Sequence, residues 1–370
     1  MTLPATMTAM VTMGHGGLDQ LVLHSDWPRP EPAAGEVLVR VRACGLNNTD
    51  VNTRSGWYAS SVRTATTDAG AAAPQVDTGA TAPQGEDEPA WGGEPVRFPR
   101  IQGADVCGMI VAVGDGIDPA RIGERIITDN WLRAPEAPLD KARAGYFGSE
   151  RDGGFAEYAT MPSRNAIAIR SDLSDAELAT FSCSYSTAEG MLTRAAVTSA
   201  DTVLVPGASG GVGGALVQLA RRRGARVIAM ASPAKHADVA RFGPDLILPR
   251  APDRLRAALG AERITVVADV VGGPFWPELI DCLERSGRYV CSGAIAGPIV
   301  ELDLRTLYLR DLTFHGSTVI DPEVMTNLIR YIEAGEIKPA LAATYPLAEL
   351  RAAQAAFIAK AHTGNIVVIP

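Results

Sequence analysis

A glycine-rich turn in the middle of the chain offers the clearest chemistry. In TVLVPGASGGVGGALVQLARRRG an apolar strand leads through this turn into an amphipathic helix. Small residues let the backbone approach a pyrophosphate, and free N–H groups at the start of the helix attract its negative charge, even with alanine as the first residue of the pattern. The turn predicts a dinucleotide site formed by Ala208, Ser209, Gly210, Gly211, Val212 and Gly213.

The end of the next strand indicates which dinucleotide is bound. A site for NAD needs an acidic residue there to bind the ribose hydroxyls, and MASPAK at 230–235 contains none. Ser232 and Lys235, together with Arg250 after the third strand, offer a hydroxyl and two cations to a 2′-phosphate. The alternative is that Lys235 and Arg250 are ordinary solvated charges. We predict NADP(H) as the cofactor.

Alternating strands and helices must position this turn. From residue 174 the apolar spacing becomes helical, and short apolar strands then alternate with helices up to about residue 317. Such alternation predicts a parallel, doubly wound sheet. Its strands are expected at Thr202–Val205, Arg226–Met230, Leu246–Leu248, Thr265–Asp269, Arg288–Ser292 and Leu312–His315.

The two ends of the chain differ from its middle. The N-terminal part alternates as β-strands do, and the C-terminal part has helical patterns at 322–334 and 347–359 before a last strand, GNIVVIP. We expect this last strand to fold back onto the first domain. The predicted fold is α/β, with a β-rich domain over 1–172 and 316–370 and a doubly wound domain over 173–315.

Residues 59–94 interrupt the β-rich part with a low-complexity segment. Its only large apolar side chains are Val62, Val76 and Trp91, too few to offset the entropy cost of ordering it. We predict a long surface insertion. It is either a solvated tether without function or, because it starts directly after Tyr58, a lid that tunes the substrate.

Composition limits the classes of function. The 370 residues are 46% hydrophobic, enough for two cored domains, and 34 basic against 42 acidic residues give a net charge of -8. This charge argues against nucleic acid or an anionic membrane as partner and favours a small molecule. Neither a signal peptide nor a long apolar run is evident, and the five cysteines form no CxxC pair. We expect a cytoplasmic protein with reduced thiols.

Several segments together resemble one superfamily. RACGLNNTD, GADVCGMIVAVG, GGFAEYA, the glycine-rich turn and ADVVGG are similar to the medium-chain dehydrogenase/reductases over nearly the whole chain except 59–94. The resemblance implies a GroES-like catalytic domain, a Rossmann domain inserted between its two parts, and an active site in the cleft that joins them.

The zinc ligands of that superfamily are not matched. In its zinc-dependent branch Asn47 and Asn48 would be Cys and His, and Gly103-Ala104-Asp105 would be Gly-His-Glu. Cys183 falls near the third ligand, but one thiolate cannot build a tetrahedral zinc site, and we expect Cys183 to be a buried, inert core residue. We predict that no metal is bound.

The chain instead resembles the quinone oxidoreductase and zeta-crystallin branch. That branch has N-x-x-D followed by R-x-G-x-Y, present here as Asn47, Asp50, Arg54, Gly56 and Tyr58. The resemblance implies that Asn47 lies beside the nicotinamide ribose and that Tyr58 faces the substrate, with Asp50 and Arg54 bracing the loop. For Tyr58 the alternative is aromatic packing under the insertion.

Two further positions are implied by the resemblance. Thr187 matches a family threonine near the nicotinamide, with a helix-start hydroxyl as the alternative. Asn365 stands in GNIV where the family has the lysine of GKIV, so it is a cofactor-binding candidate of altered chemistry. Asn52 likewise replaces a frequent family aromatic residue.

Conjugate reduction is the reaction that needs no metal. Hydride can add to a quinone or to the β-carbon of an enone or enoyl thioester while hydrogen-bond donors hold the oxygen that gains charge. We therefore predict an NADPH-dependent reductase of such compounds. The alternatives are a zinc-independent secondary alcohol dehydrogenase and an NADPH-binding protein without turnover, and the resemblance implies a homodimer.

Overall fold

The computed structural model describes residues 3–66 and 95–370, which form two main sheets with helices around them. The strands are β1 Thr6–Thr12, β2 Leu21–Pro28, β3 Glu36–Leu46, β4 Asp105–Val113, β5 Arg125–Thr128, β6 Trp131–Leu132, β7 Gly145–Tyr146, β8 Tyr158–Pro162, β9 Ala166–Ala168, β10 Thr202–Val205, β11 Arg226–Ala231, β12 Leu246–Pro249, β13 Ile264–Asp269, β14 Leu283–Cys291, β15 Thr313–Gly316, β16 Leu341–Pro346 and β17 Asn365–Ile369. The helices are α1 Asn48–Ser55, α2 Asp175–Leu178, α3 Ser182–Arg194, α4 Gly211–Arg222, α5 His236–Ala240, α6 Leu255–Leu259, α7 Trp276–Asp281, α8 Leu304–Leu309, α9 Pro322–Glu333 and α10 Leu350–Ala359.

The first sheet is built around β3. Its strand order is β16-β17-β3-β4-β5-β9, with β8 also paired to β3. Along β3 the exposed Arg40 and Arg42 alternate with buried apolar neighbours, which is the pattern of a strand with one solvated face. β17 pairs with β3 in antiparallel register, with Val368 opposite Cys44. The last strand of the chain therefore belongs to the same sheet as its first third.

The second sheet is parallel, with strand order β12-β11-β10-β13-β14-β15 and helices in its connections. The prediction of a GroES-like β-rich domain plus a doubly wound Rossmann domain is confirmed. Two element bounds differ from expectation by more than one residue: β14 begins at Leu283 rather than Arg288, and α10 begins at Leu350 because Leu347–Glu349 form a 3-10 turn. Within the described ranges no helix is long and apolar enough to cross a membrane.

One apolar cluster joins the two sheets. It contains Ala43 and Cys107 of the first sheet, Val203 and Val266 of the second, and Phe181 just before α3. All of these side chains are fully buried. A continuous apolar core therefore connects the two sheets and fixes the strand ends of one sheet relative to those of the other.

The start of the predicted insertion is not a free surface loop. Ala59 and Thr66 are buried, and the Thr66 N–H donates to Ile295 O at 3.0 Å, in the loop after β14. The expected surface position is therefore wrong for residue 66, because backbone hydrogen bonding, which apolar content does not reveal, anchors it. Residues 67–94, with Val76 and Trp91, lie outside the described residues.

This anchor yields a prediction for two nested deletions. Removing 70–90 takes out a single large apolar side chain, Val76, and should change the melting temperature little. Removing 62–90 also deletes the Thr66–Ile295 hydrogen bond and should lower the free energy of unfolding by about 1 kcal/mol more. Thermal unfolding followed by circular dichroism compares the two; equal melting temperatures would show that Thr66 anchors nothing.

Candidate active site

The glycine-rich turn is shaped by close contacts to its own strand and helix. Ala208 is buried, and its N–H donates to Met230 O at 3.0 Å, which holds the turn against β11. A Cβ on Gly213 would lie 2.1 Å from Gly207 O, so glycine is needed for α4 to approach the turn. Gly210 differs, because it is exposed and a Cβ there would meet its nearest protein atom only at 3.5 Å. Protein packing leaves room above Gly210 for a ligand.

The loop at 360–364, called the C-terminal loop below, lies against this turn. The Gly364 N–H donates to Ser209 O at 2.8 Å. A Cβ on Gly211 would lie 2.1 Å from Asn365 Oδ1, so the first residue of α4 touches the first residue of β17. The turn thus rests on the end of the chain as well as on its own strand.

The side chain of Asn365 is occupied by protein contacts. Its Oδ1 accepts a hydrogen bond from Ser184 Oγ at 3.0 Å, and its Nδ2 donates to Thr180 O at 3.4 Å. Asn365 is buried, whereas Val212 beside it on α4 is half-buried. The geometry makes Asn365 a support of the turn; its predicted contact with the cofactor stays a prediction.

The structure brings the three residues of the predicted 2′-phosphate site to one edge of the second sheet. Ser232 follows β11 and precedes a 3-10 turn that ends at Lys235, and the exposed Arg250 follows β12. Burial lowers the pKa of Lys235, and the positive charge of Arg250 lowers it further. Two cations whose charges act on each other suit a phosphate dianion, although the Asp238 carboxylate also acts on Lys235.

Asn47 stands at the N-terminus of α1, where it caps the helix. Its N–H donates to Asp50 Oδ2 at 2.8 Å, and Asp50 Oδ1 accepts from the Gly103 N–H at 3.1 Å. Asp50 therefore braces the loop. The Asn47 side chain is only 6% exposed, and its Nδ2 has no hydrogen-bond partner in the described part of the chain. A buried amide donor without a partner is costly unless a ligand or water takes its hydrogen bond.

Asp105 is the centre of a polar network that sequence reasoning missed. Its Oδ1 accepts hydrogen bonds from Asn130 Nδ2 at 2.8 Å and from the Cys183 N–H at 2.9 Å, and Asn130 Nδ2 also donates to Tyr146 Oη at 3.2 Å. Asp105 and Asn130 are almost fully buried. We call Asn47, Asp50, Asp105, Asn130 and Cys183 the Asn47 pocket.

Burial governs the protonation of the two carboxylates in this pocket. It raises the pKa of Asp50 to about 7, and the charge of Asp105 adds to the rise. It raises the pKa of Asp105 to about 6, although the nearby Asn47 amide and the hydrogen bonds from Asn130 and the Cys183 N–H oppose the shift. Near neutral pH the pocket therefore holds less than two full negative charges.

Cys183 and Thr187 lie one turn apart on α3. Cys183 is half-buried rather than buried, so the predicted core position is only partly correct; it lies one residue inside the helix, at the edge of the pocket. Desolvation of the thiolate and the charge of Asp105 raise the pKa of the thiol, which keeps it protonated and unreactive at neutral pH. Thr187 is half-buried and lies one helical turn after Cys183; it is inside α3 rather than at its start, which removes the alternative of a capping hydroxyl.

Tyr58 lies at the other end of α1. It follows the left-handed Gly56 that ends the helix, is half-buried, and packs edge-on against Trp57 with ring centroids 5.7 Å apart. The eight residues of α1 separate its ends by about 12 Å. Asn47 and Tyr58 therefore do not touch each other, and a ligand that contacts both must extend along α1.

The side chains at the zinc positions do not form a zinc site. Asn47 offers an amide, Ala104 offers no ligand, and Cys183 offers a single thiol. Within residues 3–66 and 95–370, no three His, Cys, Asp or Glu side chains come together in a metal-binding group. A tetrahedral site of thiolates and imidazoles cannot be built from these donors.

Comparison with known proteins agrees with this architecture. Residues 70–171 match the model of the alcohol dehydrogenase GroES-like domain, and residues 211–334 match the model of the zinc-binding dehydrogenase. The chain is 27% identical to acryloyl-coenzyme A reductase of Metallosphaera sedula, over 93% of this chain and 94% of that protein. It is 25% identical to quinone oxidoreductase of Lama guanicoe, over 92% and 90%.

A solved structure is more similar. A candidate alcohol dehydrogenase from Sinorhizobium meliloti 1021 is 45% identical, with a TM-score of 0.87, over 100% of this chain and 98% of that chain. A β-rich domain joined to a dinucleotide-type Rossmann sheet, with relatives named as reductases and dehydrogenases, defines an oxidoreductase. The chain belongs to the medium-chain dehydrogenase/reductase superfamily and is quinone oxidoreductase-like within it.

The raised carboxylate pKa values predict a pH-dependent stability. Values of about 6 and about 7 exceed the ordinary 3.8, so the folded protein binds more protons than the unfolded chain, and stability is lost as pH rises from 4 to 7. Asp105→Asn cannot ionise. The free energy of unfolding of this variant, taken relative to that of the wild type, should therefore rise by on the order of 2 kcal/mol between pH 4 and pH 7.

Urea unfolding at several pH values measures this difference. Asp26→Asn, which removes an exposed carboxylate, is the control. A difference between Asp105→Asn and wild type that stays constant from pH 4 to 7 would contradict the assignment of a raised pKa to Asp105.

Proposed function

We propose that the protein is an NADPH-dependent, zinc-independent oxidoreductase that transfers hydride to a quinone or to an α,β-unsaturated carbonyl compound, an enone or an enoyl thioester. The observation that carries the proposal is the buried, unpartnered Nδ2 of Asn47, at the position of a zinc ligand. An amide donor can stabilise an oxygen that gains negative charge, but it cannot polarise an alcohol as a metal does.

The chain's own residues can serve this reaction. When bound, the reduced nicotinamide supplies the hydride. As hydride reaches the β-carbon or the quinone, an electron pair moves to the carbonyl oxygen, and the Asn47 amide can donate a hydrogen bond to that oxygen. For a substrate that extends along α1, Tyr58 can donate a proton to the α-carbon of the resulting enolate or to the oxygen of the reduced quinone, and Thr187 follows Cys183 by one helical turn at the Asn47 pocket.

The preference for NADPH is supported by charge. Ser232, Lys235 and Arg250 gather where the ribose of a dinucleotide on the glycine-rich turn would end, and no acidic residue ends β11. Ala208, Ser209, Gly210, Gly211, Val212 and Gly213 would hold the pyrophosphate. The named activities of the acryloyl-coenzyme A reductase and quinone oxidoreductase relatives agree with reduction of an enoyl thioester or quinone.

A second candidate is a zinc-independent alcohol dehydrogenase. It is favoured by the 45% identity with the candidate alcohol dehydrogenase of Sinorhizobium meliloti 1021. In that reaction a base must remove the hydroxyl proton, and Asp105 and Asp50 are the titratable groups nearest to Asn47. Oxidation of an alcohol panel with NADP+ distinguishes this candidate from the first.

We also propose the domain boundaries and a homodimer. The division into 1–172 with 316–370 and into 173–315 rests on the membership of β17 in the first sheet, although Gly316 is the last residue of β15 in the second sheet. β15 is an edge strand of the second sheet, and an exposed apolar patch precedes it in sequence. A second copy of the chain covering this edge would bury the patch formed by Ile299, Val300, Leu304, Tyr308 and Leu309.

A substrate screen tests the proposed reaction. We expect NADPH oxidation with quinones, enones or enoyl thioesters and no NADP+ reduction with secondary alcohols. Asn47→Ser keeps an oxygen that can cap α1 but removes the amide donor, so kcat/KM should fall about 100-fold with the fold intact. Asn327→Ala, away from the pocket, is the control, and zinc content is measured on each sample.

Three results would contradict the proposal: turnover of alcohols alone, full activity of Asn47→Ser, or about one zinc per chain that is removed only with loss of activity. The first would favour the second candidate. The last would overturn the zinc-independent assignment as a whole.

Cofactor preference gives a further prediction. NADPH should bind at least about tenfold more tightly than NADH, which corresponds to about 1.4 kcal/mol for charge-assisted contacts. Arg250→Gln should reduce this ratio several-fold, because Arg250 is exposed and its charge acts on Lys235. Fluorescence titration with both dinucleotides measures the ratio, and Arg254→Gln is the matched control. Equal affinities of the wild-type protein for NADPH and NADH would contradict the assignment of a 2′-phosphate site.

A further inference from the structure

Lys360 is a cation whose contacts are neutral. It ends α10 in the left-handed conformation, with φ of 52°. Its Nζ donates to Asn48 Oδ1 at 2.9 Å and lies 3.5 Å from the centre of the Phe357 ring. In the described part of the chain the amine forms no ion pair with a carboxylate. A half-buried ammonium group without a negatively charged partner would be stabilised by binding an anion.

A second cation is fixed beside it. Lys235 Nζ donates to Lys360 O and to His362 O, both at 2.6 Å. Burial and the charge of Lys235 lower the pKa of Lys360 to about 7, and burial with both lysine charges lowers the pKa of His362 to about 4. Asp238 is the acidic group that acts on Lys235. The positive groups of the C-terminal loop therefore repel one another, and an anion bound among them would relieve this repulsion.

The position of the C-terminal loop indicates which anion would bind to Lys360. Gly364 is hydrogen-bonded to Ser209 of the glycine-rich turn, and Asn365 touches Gly211 at the start of α4. At its other end, the loop reaches α1 through the contact of Lys360 with Asn48. Thr363 Oγ1, within the loop, is buried and has no partner among the described residues. The Lys360 amine therefore lies between the turn expected to bind a pyrophosphate and the residue next to Asn47.

We propose that Lys360 binds the pyrophosphate of the nicotinamide dinucleotide, an inference that rests on the proposed function. Lys235 is held to the carbonyl groups of the loop, on the side of Ser232 and Arg250, whereas the Lys360 amine extends away to α1. The two lysines thus serve different phosphates. Lys360 contributes to the affinity for NADH and NADPH alike, and Lys235 to the difference between them.

Binding of both dinucleotides to variants of the full chain tests this. Lys360→Met keeps an unbranched apolar stem against Phe357 and removes the charge, and Lys360→Arg keeps the charge. We expect Lys360→Met to weaken the binding of NADPH and of NADH by the same factor, about tenfold or more. Lys360→Arg should retain most of the wild-type affinity. Lys338→Met, which removes an exposed lysine, is the control. Melting temperatures of the unliganded variants report on folding.

The outcomes separate the two proposals. Equal weakening with arginine rescue supports the pyrophosphate assignment. Weaker binding of NADPH alone would overturn it and indicate that Lys360 contacts the 2′-phosphate instead. Unchanged affinities for both dinucleotides would show that Lys360 contacts neither phosphate group. If Lys360→Met fails to fold, Lys360→Gln is measured in its place against Lys360→Arg. A wild-type protein that binds neither dinucleotide would contradict the proposed function rather than the role of Lys360.

Discussion

The contact between the end of the chain and the glycine-rich turn is the constraint on which the site depends. Gly211 has no room for a side chain because Asn365 fills that space, and Gly364 is hydrogen-bonded to Ser209. Since β17 begins at Asn365 and pairs with β3, this one contact links the turn of the second sheet to the central strand of the first. β3 leads directly into Asn47. The cofactor turn and the Asn47 pocket are therefore held in register through β17 and β3.

Charge differs between the two ends of this arrangement. Lys235, Arg250 and Lys360 make the end at β11 and the C-terminal loop positive, whereas Asp50 and Asp105 place acidic groups in the Asn47 pocket. A dinucleotide carries its negative charges on its phosphates, away from the nicotinamide. Its favourable orientation therefore puts the phosphates over the turn and the nicotinamide towards Asn47, which agrees with the proposed function.

Local patterns were sufficient to predict much of the fold. The six parallel strands β10 to β15 and the turn at 208–213 were predicted because parallel strands are short apolar runs and phosphate turns need small residues. The network of Asp105 could not be predicted, since its partners Asn130 and Cys183 lie 25 and 78 residues away. Lys360 was missed for a related reason: at the end of an amphipathic helix it has the pattern of a solvated residue, and only the fold brings it to Asn48.

In the Asn47 pocket an amide and Ala104 stand at positions where zinc-dependent relatives would have ligands, and this affects the charges of the neighbouring residues. Two carboxylates next to a zinc ion would be stabilised in their ionised forms, but beside an amide they are left with neutral partners, and burial raises both of their pKa values. An oxygen that gains negative charge near Asn47 would be repelled by an ionised Asp105 and tolerated beside a protonated one. The donor strength of the amide and the protonation of Asp105 are therefore coupled. A pocket of this kind suits a substrate that has its own electron-withdrawing carbonyl group. Such a substrate delocalises much of the developing negative charge itself, and the protein has to stabilise only the part that collects on the carbonyl oxygen.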